Sequence, residues 1–140
     1  MQDNDTFAKL WLHECSRVFA DRLSTPQDRE YFQAQVVDLL QTKFKVRWDK
    51  PAEIFSVEKE PIFSVILKID QEVRTYELVE KKTRLLGTLE DKLTDYNFSS
   101  SNKMDLVFFN DAVKHVCSIT RILMQPRGNA MLIGVSGCGK

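Results

Sequence analysis

The last seven residues of the chain have the types and spacing of a phosphate-binding loop. They are Gly134, Val135, Ser136, Gly137, Cys138, Gly139 and Lys140. The run fits the pattern G-x-x-x-x-G-K, in which successive backbone N–H groups surround phosphate oxygens and the lysine reaches the β- and γ-phosphates. Glycine is needed where the backbone takes a positive φ or approaches the phosphate closely. A nucleotide-phosphate site is therefore predicted here.

This predicted site is incomplete within the printed sequence. The residue after the lysine normally helps to place Mg²⁺, a helix begins there, and a later strand supplies acidic residues. We therefore expect the chain to be cut at Lys140, to bind nucleotide weakly or not at all, and to be inactive as an ATPase by itself. We assign no catalytic residue, because no serine, cysteine or carboxylate has a sequence pattern typical of nucleophilic or acid–base catalysis.

Composition narrows the class of protein. The chain has 140 residues, of which 43% are hydrophobic, and its 20 basic and 20 acidic side chains give a net charge of 0. This balance predicts neither nucleic acid nor a membrane surface as a partner. The apolar runs are far shorter than the roughly 20 residues of a membrane helix. Three widely spaced cysteines favour a reducing compartment such as the cytoplasm.

Apolar periodicity predicts the helices that must position the loop. They cover residues 5–23, 25–44, 81–96 and 105–124, the last of them starting at 105 or a few residues later. Thr25 is predicted as an N-cap, with Pro26 at the first helical position and Asp28 in the first turn. The predicted buried faces are Phe7, Leu10, Trp11, Cys15 and Val18 in the first helix, Tyr31, Phe32, Val36, Leu39 and Leu40 in the second, and Leu85, Leu86, Leu89, Leu93 and Tyr96 in the third.

Strand signals are fewer. PIFSVILKI (61–69) alternates in part with a period of two and predicts a small hairpin with RTYELV (74–79), turning at Asp70 and Gln71. NFSSSNK (97–103) is a polar loop, and QPRGN (125–129) is expected to end the last helix. AMLIGV (130–135) predicts a short buried strand that leads into the glycine loop.

LVFFNDAVKHVCSITRILMQPRGNAMLIGVSGCGK, at residues 106–140, resembles the entry to the fourth AAA+ module of dynein heavy chains of the axonemal class. LWLHECSRVFADRL, with the DRE of the second helix, resembles the helical lid of the preceding module. Asp95-Tyr96-Asn97 and Met104 match the family's connection between the two. The resemblance implies a lid-like subdomain with a small hairpin at 1–98, a linker at 99–104, and the start of the next α/β module at 105–140.

The family also implies a function for the parent protein. Dynein heavy chains are ATP-driven, minus-end-directed microtubule motors with a ring of six AAA+ modules, and they use ATP with Mg²⁺. The implied partners are the neighbouring AAA+ modules, microtubules and other dynein chains, and the implied location is the cytoplasm, the cytoskeleton and the axoneme of cilia and flagella. Carried over by position, Leu106, Val107 and Phe108 lie on the adenine side, and Arg17 lies where a lid presents an arginine to nucleotide.

Three alternatives stay open at this point. Arg17 is either that nucleotide sensor or the partner of an acid such as Glu14 or Asp21. His13-x-Cys15 and His115-x-Cys117 suggest zinc, but side chains two apart on a helix diverge by about 200°, so we expect buried thiols, surface histidines and no metal. The rival to the motor reading is a free-standing helical protein-interaction module whose glycine-rich tail is incidental.

Overall fold

The chain folds into two compact units in a computed structural model that describes residues 4–46, 48, 51–56 and 59–134. The first unit comprises residues 1–63 and 76–82, and the second comprises residues 64–75 and 83–140. The chain therefore passes from one unit to the other three times.

The described structure is mainly helical. Its long helices are α1 (Asn4–Cys15), α2 (Pro26–Thr42), α3 (Lys82–Ser99) and α4 (Asn110–Leu123). Two short strands, β1 (Phe63–Ser64) and β2 (Glu77–Leu78), pair as a two-stranded antiparallel sheet. Shorter segments are a π-helical turn (Ser16–Ala20) and two 3-10 segments (Pro51–Phe55 and Ile66–Lys68). The predicted class, mainly α with a small hairpin, is confirmed, whereas the division into AAA+ subdomains stays a prediction.

The first helix begins where the periodicity predicts, but its buried face is different. Ala8, Leu12, His13 and Ser16 are buried, whereas Phe7 and Val18 are exposed. Leu10, Trp11 and Cys15 are only partly buried. The prediction of this face was wrong for Phe7 and Val18, and it missed Leu12 together with the small or polar Ala8, His13 and Ser16.

The core of the first unit lies between α1 and α2. Ala8, Leu12, Val36 and Leu40 form its buried centre. Partly buried side chains surround it: Trp11, Phe32, Phe44, Val46, Trp48, Ile54 and Phe55. The start of α2 is as predicted, since Thr25 is the N-cap, its hydroxyl accepts from the Asp28 N–H, and Pro26 opens the helix. Tyr31 and Leu39, predicted as core, are exposed.

The hairpin is shorter than its sequence pattern. Residues 61–66 are all buried, so the expected alternation of buried and exposed side chains is absent. β1 ends at Ser64, and Ile66–Lys68 turns into a 3-10 segment. Buried on both faces, this run has no solvent face to impose a period of two, which is why the predicted strand was too long.

The second unit contains α3 and α4. Leu85 and Leu89 are buried on α3, as predicted, but Tyr96 is exposed. Residues 130–134 form no strand, and Met131 and Ile133 are each 85% exposed. The predicted buried strand is therefore wrong for these residues. A strand needs a neighbour for its backbone groups, and the two strands of the described chain pair only with each other.

Candidate nucleotide site

Residues 104–109, here called the connecting segment, join the loop after α3 to α4 without regular secondary structure. Asn97, in the last turn of α3, holds the start of this segment. Its Nδ2 donates to the Met104 carbonyl oxygen at 2.7 Å, and its Oδ1 accepts from the Met104 N–H at 2.7 Å. One side-chain amide thus satisfies both backbone groups of one residue, as a neighbouring strand would.

The predicted adenine-side residues lie together on the connecting segment. Leu106 is 51% exposed and Val107 is 81% exposed, while Phe108 is partly buried. Exposed apolar side chains are the kind of surface on which a nucleotide base packs. These residues are therefore compatible with the predicted role.

A tight turn follows α4. The helix ends at Leu123, Gly128 N donates to Gln125 O at 2.8 Å, and Arg127 takes a positive φ of 59°. A Cβ atom on Gly128 would collide with the carbonyl oxygens of Ile122 and Gln125. Glycine is therefore required here by close backbone approach, which agrees with the prediction that this stretch stops the helix.

The predicted phosphate loop falls almost wholly outside the described residues. Gly134 is described and is exposed. Val135, Ser136, Gly137, Cys138, Gly139 and Lys140 lie outside the described ranges. Their role in binding phosphate stays a prediction from sequence.

Arg17 is held by two carboxylates within the first unit. Its Nη2 donates to Glu60 Oε1 at 3.0 Å, and its Nε lies 3.0 Å from Asp21 Oδ2 as an ion pair without a well-aligned hydrogen bond. Its side chain is only 14% exposed. The alternative reading, an ion pair with Asp21, is therefore present, and the nucleotide-sensor role stays a prediction.

His13 is buried beside Arg17, at 4% exposure, so the expectation that it lies on the helix surface was wrong. Its Nδ1 is 2.9 Å from the Pro61 carbonyl oxygen, and its ring lies near those of Phe63 and Tyr76. Burial lowers the pKa of His13, although the Pro61 carbonyl works in the opposite direction. The imidazole is therefore a buried group of α1 that packs beside Phe63 and Tyr76 and whose charged form is disfavoured.

The remaining three residues of the two histidine–cysteine pairs lie closer to the expected burial and exposure. Cys117 is buried, Cys15 is partly buried, and His115 is exposed. Burial, with a contribution from the Glu14 carboxylate, raises the pKa of the Cys15 thiol, which disfavours its metal-binding thiolate form. Within the described ranges, no three histidine, cysteine or acidic side chains converge as a metal-binding group.

The first unit also carries a cleft of about 360 Å³, lined by Asp5, Lys9, Trp48, Ile54 and Lys59. Trp48 Nε1 donates to Asp5 at 2.5 Å, and Lys9 pairs with the same carboxylate. None of the lining residues belongs to the predicted nucleotide site.

For the residues that the structure describes, every helix is too short or too polar to cross a bilayer.

Sequence reasoning missed two of these arrangements. Glu60, the partner of Arg17, lies 43 positions away and carries no local signal. The sequence singles out Asn97 only through the family match. A signal for it did exist, since an asparagine near a helix end, followed by a polar loop, commonly bonds to nearby backbone.

Comparisons with known proteins give a consistent result. Residues 104–140 match the family model described as "P-loop containing dynein motor region D4". The chain is 40% identical over 133 residues to the Dynein-1-beta heavy chain of the flagellar inner arm I1 complex of Chlamydomonas reinhardtii. It is 38% identical over 134 residues to human Dynein axonemal heavy chain 6, and 39% identical over 137 residues to the Dynein beta chain of the flagellar outer arm of Chlamydomonas reinhardtii.

These matches cover 94–95% of this chain but only 3% of each relative. The family-model match includes the residues of the glycine loop. The relatives are axonemal and flagellar proteins, which is consistent with the cytoskeleton and the axoneme of a cilium or flagellum as the expected location. Over nearly its whole length, the chain belongs with the axonemal dynein heavy chains.

Proposed function

We propose that this chain is the part of an axonemal dynein heavy chain that joins two consecutive AAA+ modules and begins the nucleotide site of the second. The parent is an ATP-driven, minus-end-directed microtubule motor. Within it, residues 1–98 act as the lid of the third module, and residues 105–140 open the fourth. The observation that carries this proposal is the match of residues 104–140 to the dynein motor region D4.

In this proposal, Gly134 to Lys140 surround the phosphates of ATP, and bound Mg²⁺ neutralises phosphate charge. Leu106, Val107 and Phe108 pack on the adenine side. The exposure of Leu106 and Val107 supports this role, because apolar surface is available there for a base. Tight binding requires parts of the module beyond Lys140, so the 140-residue chain is proposed to be inactive alone.

The mechanical role is coupling between modules. A lid packs on the next large subdomain, so a nucleotide-driven shift of one module biases its neighbour. The Asn97–Met104 hydrogen bonds support a firm join at this point, since they tie the end of α3 to the connecting segment. The proposed partners are therefore the adjacent AAA+ modules and, through the whole motor, microtubules and other dynein chains, without nucleic acid or membrane.

Site-specific photolabelling tests the proposal in the complete heavy-chain motor that contains this sequence. An azido-ATP analogue is expected to label the peptide carrying residues 104–109, and Lys140→Ala is expected to abolish that label while labelling at other modules persists. Arg127→Lys is the matched control at an exposed basic residue. Absence of label on this peptide in the unaltered motor would refute the nucleotide site.

The isolated chain provides a second test. We expect no phosphate release above background from the purified 140 residues. Steady release that disappears in Lys140→Ala would show a self-sufficient ATPase and would contradict the proposal.

A further inference from the structure

We infer that Asn97 is a positioning residue for the nucleotide base, acting through the backbone of Met104. The inference rests on the proposed function and deepens it, because it assigns the geometry of the adenine side to a residue that lies on the preceding helix. Asn97 itself is not proposed to contact the nucleotide.

The chemistry of the contact requires an amide at this position. The Met104 N–H needs an acceptor and the Met104 carbonyl needs a donor, and the Asn97 side chain offers one of each in a single plane. The two backbone partners also fix the orientation of the amide, since a flipped side chain would set donor against donor. An ionised aspartate has no donor for the carbonyl, and alanine has neither group.

The loop before Met104 adds to this attachment. Ser100 N donates to Tyr96 O at 2.8 Å, which extends the end of α3 by one bond. The Ser100 hydroxyl accepts from the Asn102 N–H at 3.2 Å and donates to the Asn102 carbonyl at 3.3 Å. The turn that carries the chain back to Asn97 is therefore closed by its own hydrogen bonds.

The connecting segment is anchored at its other end as well. Phe109 is the N-cap of α4, and its carbonyl accepts from Val113 N at 3.0 Å. Only residues 105–108 lie between the Met104 anchor and this cap, and they include all three predicted adenine-side residues. Because this span is short and both of its ends are fixed, it has few accessible conformations. Its apolar side chains are therefore held in place before a base binds.

Loss of the Asn97 anchor gives a specific signature. A segment that samples other conformations must be ordered on binding, which weakens affinity for any ligand that uses it. ATP uses the base contact, whereas tripolyphosphate uses only the phosphate loop. We therefore expect Asn97→Ala to weaken binding of ATP by about tenfold, the equivalent of one or two hydrogen bonds, with tripolyphosphate binding unchanged.

Hydrogen exchange on the 140-residue chain tests the anchor itself. Asn97→Ala is expected to lower the protection of the Met104 amide about tenfold. Asn97→Asp keeps an acceptor for the Met104 N–H and loses only the donor for the carbonyl, so it is expected to retain more of the protection than Asn97→Ala. Asn102→Ala is the matched control, because the bonds of Asn102 to Ser100 use backbone atoms. Unchanged protection in Asn97→Ala would overturn the inference.

Labelling of the complete heavy-chain motor tests the link to the base. In Asn97→Ala, the azido-ATP concentration for half-maximal labelling of the 104–109 peptide is expected to rise about tenfold, while competition by tripolyphosphate stays the same. Equal weakening of both ligands would indicate general damage and would overturn the positioning role. Failure of the proposed function looks different, since the unaltered motor would then leave this peptide unlabelled.

Discussion

The imidazole Nδ1 of His13 lies 2.9 Å from the carbonyl oxygen of Pro61, 48 positions along the chain. A carbonyl only accepts, so Nδ1 carries the proton and the neutral ring donates. The side chain is 4% exposed, and burial lowers its pKa below the ordinary value of 6.5. α1 is thereby joined to Pro61, just before β1, through an imidazole whose charged form is disfavoured by folding.

The burial of His13 predicts a loss of stability in mild acid. Between the lowered pKa of folded His13 and 6.5, the unfolded chain binds the proton more readily than the folded chain. Above pH 6.5, His13 therefore takes nothing from the free energy of unfolding. Below pH 6.5, the free energy of unfolding falls as the pH drops, with a slope of at most about 1.4 kcal/mol per pH unit for one proton. Urea unfolding at several pH values measures the slope.

Variants isolate the histidine in that experiment. His13→Asn keeps a donor close to the position of Nδ1 but does not titrate, so the slope just below pH 6.5 is expected to shrink. His115→Asn, at an exposed histidine, is the matched control. An unchanged slope in His13→Asn would assign the pH dependence to other groups.

The Asp5 carboxyl affects stability only in stronger acid, near and below pH 3.8. Burial raises its pKa, but Lys9 and Trp48 lower it, and the net pKa is lowered.

The two carboxylates around Arg17 are expected to differ in importance. Glu60 is 16% exposed and Asp21 is 47% exposed. Glu60→Gln is expected to lower the free energy of unfolding by about 1–2 kcal/mol, since it weakens a charge-assisted bond in a shielded site. Asp21→Asn is expected to cost less than about 0.5 kcal/mol, because solvent screens the pair.

Chemical denaturation of both variants, followed by a double-mutant cycle with Arg17→Met, gives the two coupling energies. Equal losses in Glu60→Gln and Asp21→Asn would contradict this ranking.

Alanine substitutions at two glycines are expected to change the stability of the chain in opposite directions. Gly87 lies inside α3 with nothing within 4 Å of an added Cβ, so Gly87→Ala is expected to stabilise the helix by about 0.5–1 kcal/mol. Gly128→Ala forces a Cβ against the Ile122 carbonyl and is expected to cost about 1–3 kcal/mol. Thermal unfolding of both variants measures this, and a neutral Gly128→Ala would refute the tight turn.

The exposed apolar side chains before the glycine loop predict self-association. Met131, Leu132 and Ile133 are 77–85% exposed. Replacing all three by serine is expected to reduce concentration-dependent association in sedimentation velocity without lowering the thermal midpoint, because these side chains contribute little packing. A lower thermal midpoint in the triple replacement would contradict the prediction, because it would show that these side chains are packed in solution.

Sequence reasoning worked best where the determinant is local. The Thr25 cap and the Pro26 start of α2 follow from hydrogen bonding within one turn, and Leu85 and Leu89 follow from helical spacing. It failed where partners decide the outcome. Residues 130–134 have the texture of a strand, yet strand formation depends on a neighbour that a local pattern does not contain.

The candidate site divides in the same manner. Gly128 and the residues of the connecting segment are recognisable from their local sequence or family match, and the structure shows the close approach that excludes a side chain at Gly128. The Arg17–Glu60 pair joins positions 43 apart, and its charges resemble those of any surface pair in the sequence. Burial, which gives that pair its strength, is not encoded in the residue types alone.

The π-helical turn at Ser16–Ala20 shifts the register of the first helix, so the side chains before and after the turn follow different helical registers. Its bond from Asp21 N to Ser16 O, at 3.0 Å, spans five residues instead of four and inserts one extra position into the spiral. Every side chain beyond the insertion is rotated by about 100° relative to an unbroken helix. Removing a single residue from this turn would therefore re-aim the end of the helix while leaving its composition almost untouched.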